Sequence, residues 1–239
     1  MEHGHTIEEI SARLSQPARS TYLKDCVYGG IDGAVTTFAI VSGVHGAGFS
    51  PTITLALGVA SVLADGFSMA AGNYTATKAE YEDIERLRAV EKRHIREVPD
   101  GEREEIRQIL RGKGLSGQTL EDAVEESSRD ESIWIDMMLV EEYGKAPVDP
   151  QPMRAALATF FSFMACGLVP LLPFLFSWHD PYLIATITTA ITFFAIGILK
   201  SSWSLHPWWR SGIETLLIGS TAAAIAYAAG HLVGSLTGQ

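Results

Sequence analysis

The chain is short of cysteine, short of basic residues relative to acidic ones and, over its last third, short of charge of either sign. Cys26 and Cys166 are its only two cysteines and lie far apart, in or beside apolar runs. That excludes a disulfide framework and a CxxC metal motif, and both read as buried thiols. Lys and Arg number 18 against 28 Asp and Glu. A chain of net charge −10 has no basic face for a phosphate backbone, so nucleic acid is excluded as a partner and cations become the natural one. From Arg154 to Gln239 only five residues are charged.

What is present is divided by position. Residues 76–150 hold 20 of the 28 acids and 12 of the 18 Lys and Arg, so the mean hydropathy of +0.14 averages a polar block with several uncharged stretches. Apolar runs cover Cys26 to Val44, broken only by Asp32, and Pro51 to Thr77, broken within the run by Asp65. Three more follow the block: Ala155 to Phe176, Tyr182 to Leu199, and Thr215 to about Val233. Each is near the ~20 residues that cross a bilayer as a helix. The polar, mildly amphipathic N-terminus does not read as a cleaved signal peptide.

The spacing therefore predicts an all-α integral membrane protein, with five transmembrane helices and a helical domain inserted between the second and third. The expected organisation is an N-terminal segment 1–24, two spans within 25–75, an acidic metal-binding domain 76–150 and three spans within 151–239. Arg13, Arg19, Lys24, Lys78, Arg154, Lys200 and Arg210 all flank one side, whereas His45–Ser50 and Ser177–Pro181 carry no Lys or Arg. The positive-inside rule puts the N-terminus and the acidic block in the cytoplasm and the C-terminus outside; in a bacterium the membrane would be the plasma (inner) membrane.

Within the block, a helix continuing the second span is expected to reach about Glu97 and stop at Val98-Pro99-Asp100-Gly101. Asp100 is expected to cap a second helix ending at Gly112-Lys113-Gly114, a third starts near Ser116, and a fourth runs from Asp130 as N-cap to Tyr143, with Gly144 beyond its end. Pro147, Pro150 and Pro152 should make the approach to the third span extended. Ser211 to Glu214 reads as a capping box for the fifth span, giving Glu214 a structural role.

An ionisable side chain at membrane depth costs roughly 2.5–3.5 kcal/mol and marks a pathway. Asp32 and Asp65 are the only two acids within spans. Asp32 sits in a GxxxG setting, Gly29 and Gly33, which permits close helix approach. Asp65 lies four residues before Met69, so carboxylate and thioether share a helix face, with Ser68 and Asn73 as neutral oxygen donors nearby. In the acidic block, Glu91/His94, Glu102/Glu105 and Met138/Glu141 repeat an i,i+3 spacing. Carboxylates with an imidazole and a thioether suit a divalent transition metal over Mg²⁺ or Ca²⁺.

The segment Tyr28-Gly29-Gly30-Ile31-Asp32-Gly33-Ala34, the run from Asp65 to Tyr74 leading into Lys78-Ala79-Glu80, the Val98-Pro99-Asp100 break, the stretch Asp136 to Glu141, and Gly167 to Pro173 resemble the vacuolar iron transporter (VIT) family, in order and over nearly the whole chain past Tyr22. The resemblance implies a homodimer of five-helix subunits that moves Fe²⁺, with Mn²⁺ and related ions such as Zn²⁺ and Co²⁺, out of the cytosol in exchange for protons. It implies an ion path between subunits using an acid at Asp32 and a Met at Met69, and cytoplasmic ligands at Glu91, Glu102, Glu105, Met138 and Glu141. Two positions depart from the family: Ser61 stands where plant members carry Glu, with an acid at Asp65 instead, and His94 replaces a Glu ligand. The second change implies a softer, more pH-sensitive site. No catalytic residue or resident cofactor is implied. The rival readings are a membrane-anchored metal sensor without transport, and an intramembrane aspartyl enzyme using Asp32 and Asp65, which leaves the Glu/His/Met block unexplained.

Overall fold

In a computed structural model, the described residues are 5–14, 21–145, 150–203 and 207–237, and among them every regular element is helical. The α-helices are α1 (Ile7–Leu14), α2 (Leu23–Gly46), α3 (Pro51–Glu97), α4 (Pro99–Gly112), α5 (Gly117–Ser127), α6 (Glu131–Glu141), α7 (Pro152–Leu168), α8 (Leu172–Leu175), α9 (Pro181–Lys200) and α10 (Trp208–Thr237). Five stretches are long and apolar enough to cross a membrane: α2, the first part of α3, Pro152–Leu175, α9 and α10. The chain divides into two compact units, one of residues 21–76 and 152–239, the other of 1–20 and 77–151.

The first unit is built on close backbone approach. A Cβ on Gly29 would lie 2.5 Å from the carbonyl oxygen of Thr159, and one on Gly167 would lie 3.1 Å from that of Gly33, so α2 and α7 meet where the GxxxG spacing leaves no side chain between them. Hydrocarbon is as apolar as Leu, so contact of this kind, rather than water exclusion, holds spans together. Ala34, Phe38, Val41, Val62, Leu171, Ala185 and Phe193 form the core. The third span is not continuous: a 3₁₀ turn at Val169–Leu171 separates α7 from α8, because Pro170 and Pro173 each remove a backbone donor. Outward-facing Leu217, Ile225 and Leu236 on α10 are 61%, 67% and 78% exposed, the surface of a helix whose solvent is lipid.

Two expectations about helix starts are corrected. The helix carrying Asp100 starts at Pro99, so Asp100 stands in the first turn and pairs with Arg103 at 3.1 Å instead of capping. Likewise α10 starts at Trp208, three residues before the expected cap. Ser211 is a buried helical residue, and Glu214 pairs with Lys200 at 3.3 Å. Asp130 does cap α6, accepting from Ser132 N at 2.8 Å. Gly144 takes φ +65°, and Lys145 N donates to Leu139 O at 2.8 Å, closing the end of that helix. Pro147 lies outside the described residues.

The second unit packs α3 to α6 around two apolar clusters, Ile106, Leu120, Val124, Trp134 and Met138, and Ile84, Leu87, Ile135 and Leu139. On α3 the buried stripe runs Ile84, Leu87, Glu91, and on α4 it runs Glu102, Ile106. Both acids thus occupy positions where helical periodicity calls for an apolar residue.

Candidate metal centre

Glu91 and Glu102 are 1% and 5% exposed, and burying a carboxylate without a partner is among the costliest things a fold can do. Their compensation is local. Oε1 of Glu91 accepts from the Tyr143 hydroxyl at 2.8 Å, and Oε1 of Glu102 lies 3.3 Å from Nδ1 of His94. Oε2 of each carboxylate is shielded from solvent with no donor. One ligand atom from each of Glu91, His94 and Glu102 falls within 4.8 Å of the others, an arrangement of two carboxylates and an imidazole around a common point.

The electrostatics are those of a site short of positive charge. Burial, then the carboxylates of Glu105 and Glu91, push Glu102 up to about 7, with Glu142 adding to the repulsion. Burial and the charges of Glu91 and Glu105 raise Glu142 as well. Burial and its bond to Glu91 raise Tyr143, which stays a phenol donor. Only a proton or a cation can reconcile Glu91 with Glu102.

The residues expected from the sequence are distributed unevenly. Glu91, His94 and Glu102 converge, and Glu105 is exposed but within electrostatic range of Glu102. Met138 is fully buried in the Ile106–Trp134 cluster, and Glu141 pairs with Lys113 at 2.7 Å. Glu142 and Tyr143, which sequence reasoning passed over, face the acids instead. The signal for them was spacing: Glu142 follows buried Met138, and Tyr143 follows buried Leu139, by four residues, so both continue the buried face of α6 past its end.

In the other unit, Asp65 accepts a hydrogen bond from the Ser61 hydroxyl one turn earlier, and Asp32 and Asp65 lie within electrostatic range of each other. Asp32, Asp65 and Met69 are all half-buried. Ser68 is exposed. Asn73 is committed to structure: its side-chain nitrogen donates to Asp25 at 2.8 Å, Thr159 at 2.7 Å and the carbonyl of Ala155 at 3.3 Å, tying α2, α3 and α7 together.

A sequence model of the VIT family matches residues 23–231, nearly the full length. The chain belongs to the VIT family. Among its relatives, vacuolar iron transporter 1 of Oryza sativa subsp. japonica is 31% identical over 86% of this chain and 82% of its own length. Vacuolar iron transporter 1 of Arabidopsis thaliana is 29% identical over 88% and 86%, and the vacuolar iron transporter of Toxoplasma gondii is 30% identical over 92% and 76%. VIT membership places the chain among multi-pass membrane transporters of metal ions and not among enzymes.

Proposed function

We propose that this VIT protein exports Fe²⁺ from the cytosol in exchange for protons. The observation that carries the reading is the meeting of Glu91, His94 and Glu102, with two buried carboxylate oxygens that have no donor. Carboxylate and imidazole together suit Fe²⁺, and also Mn²⁺, Zn²⁺ and Co²⁺, better than Mg²⁺ or Ca²⁺. The relatives' names, vacuolar iron transporters, favour iron as cargo and a compartment-bounding membrane as the setting.

In this reading the 76–150 block is cytoplasmic and collects metal, with Glu91, His94 and Glu102 as inner ligands and Glu105 and Glu142 holding negative charge at the rim, while Met138 sits in the apolar cluster and Glu141 is paired with Lys113. Capture costs Glu102 a proton, since a cation and a proton compete for the same oxygens. The spans then pass the ion through a homodimer along a path using Asp32, Asp65 and Met69. A membrane carboxylate that binds either metal or a proton, but not both, is the minimum device for antiport.

Reconstitution in proteoliposomes tests the proposal. Fe²⁺ flux driven by a pH gradient, collapsing in Asp32→Ala, is expected. Binding without flux would instead identify a membrane-anchored sensor, and undiminished flux in Asp32→Ala would remove that residue from the path.

A further inference from the structure

In the apolar part of α3, Ser61, Asp65 and Met69 stand four residues apart near the middle of the run Pro51 to Thr77, and all three are half-buried. They form one stripe along the helix, and the tilt of helical side chains toward the N-terminus sets each over the one before it. Val62 and Gly66, on the neighbouring stripe, are buried, and a Cβ on Gly66 would lie 3.2 Å from the Phe163 ring of α7. The polar stripe thus borders the packed face of α3, and its carboxylate is within electrostatic range of Asp32.

Ser61 uses its hydroxyl in an unusual direction. A Ser or Thr within a span ordinarily donates to the carbonyl four residues earlier, its own helix being the nearest acceptor, and Thr36, Thr186, Thr192 and Thr215 do so at 2.8 to 3.0 Å. Ser61 instead donates forward, to Oδ2 of Asp65. No Lys or Arg occurs between Asp25 and Thr77, so the stretch that carries Asp32 and Asp65 supplies neither with a cation. The hydroxyl therefore fixes the rotamer of the Asp65 carboxylate and occupies one of its two oxygens.

We propose that Ser61 is a specificity-determining residue of the ion path: with Oδ2 held by the hydroxyl, Asp65 presents a single oxygen to a passing ion. The inference rests on the proposed path through Asp32, Asp65 and Met69. Ca²⁺ takes roughly six to eight oxygens and often grips a carboxylate by both. A transition-metal ion is served by one carboxylate oxygen together with softer donors, and the Met69 thioether stands one turn further on. Ser61 thereby selects Fe²⁺ or Mn²⁺ over Ca²⁺, acting through Asp65 and not as a ligand.

Flux of Mn²⁺ and of Ca²⁺, each supplied alone to full-length protein in proteoliposomes under a pH gradient, tests the assignment. The wild type should carry Mn²⁺ and little Ca²⁺. In Ser61→Ala the freed carboxylate should raise the KM for Mn²⁺ about tenfold, as for loss of an outer partner of a metal ligand. The ratio of kcat/KM for Mn²⁺ over Ca²⁺ should fall by a similar factor, with kcat for Mn²⁺ nearly unchanged. Ser61→Thr keeps a donor and should keep both values, whereas Ser61→Cys, of the same shape but a weak donor, should behave as Ser61→Ala does. Unchanged KM and ratio in Ser61→Ala or Ser61→Cys would overturn the proposal. So would a loss that Ser61→Thr shares, which would make Ser61 a packing residue. Wild-type protein that carries neither ion would overturn the transport reading itself and this inference with it, a failure distinct from the other two.

Discussion

The Tyr143 hydroxyl donates to Oε1 of Glu91 at 2.8 Å, so a residue just past the end of α6 holds one oxygen of a buried carboxylate on α3 and leaves the other oxygen as the reactive one. In the proposed centre Tyr143 would be an outer support that fixes the rotamer of the Glu91 carboxylate without itself being a ligand. Tyr143→Phe keeps the ring and its packing but removes the donor. Affinity for Mn²⁺, measured by titration calorimetry on the full-length protein, should fall by about tenfold. Unchanged affinity would show that Glu91 is held by packing alone.

Metal capture should depend steeply on pH. Glu102 carries a proton below about 7, and that proton occupies an oxygen the metal needs. Binding should therefore weaken as pH falls from 8 to 6, with Glu102→Gln much weaker throughout and flatter in its dependence. A wild-type profile flat across this window would contradict the assignment of Glu102.

The same carboxyl links pH to stability. Its pKa is raised on folding, so between about 4.5 and about 7 the unfolded chain has released a proton that the folded chain still holds, and metal-free stability declines as pH rises through that window. Above pH 7 the loss is complete, amounting to roughly 1–3 kcal/mol. A chelator should accordingly lower the Tm of the metal-loaded protein at pH 8, and Glu102→Gln should raise the Tm of the metal-free protein at that pH. A metal-free Tm at pH 8 that is lower in the variant would reverse the sign of the argument.

Transport and capture should separate genetically. Asp32→Asn and Asp65→Asn remove charge from the spans and leave Glu91, His94 and Glu102 in place, so Fe²⁺ flux in proteoliposomes should fall at least tenfold while Mn²⁺ binding stays within twofold of wild type, about one order of magnitude in rate being ~1.4 kcal/mol. Loss of binding in step with flux would mean that the two units do not act as distinct stages.

The α2–α7 contact should tolerate no side chain at its close glycine approaches. In Gly29→Ala the new Cβ would meet backbone, the Thr159 carbonyl oxygen at 2.5 Å and its Cα at 3.1 Å, and neither can rotate away. A loss of about 1–3 kcal/mol is expected, read as a lowered Tm in detergent, whereas Gly72→Ala, which meets nothing within 4 Å, should be neutral or slightly stabilising.

Much of this protein was determined by local chemistry and is therefore legible along the chain. Five apolar stretches of bilayer length, interrupted only by Asp32 and Asp65, fold as helices where no water is present to satisfy the backbone, and α3 runs unbroken to Glu97 because no Gly or Pro lies between Tyr74 and that point. Glu91, His94 and Glu102 could be picked out because chelating side chains at helical spacing share a face. Which of several such pairs meet was decided only by tertiary structure. Met138 and Glu141 have the same spacing, yet one is packed in the apolar core and the other pairs with Lys113, while Glu142 and Tyr143 are turned toward Glu91. The reason is that spacing within one helix sets which residues share a face, whereas the packing of α3, α4 and α6 sets what that face meets. Similarly, the composition announced a surplus of carboxylate, but only burial turned two members of that surplus into a place where a proton or a cation is needed.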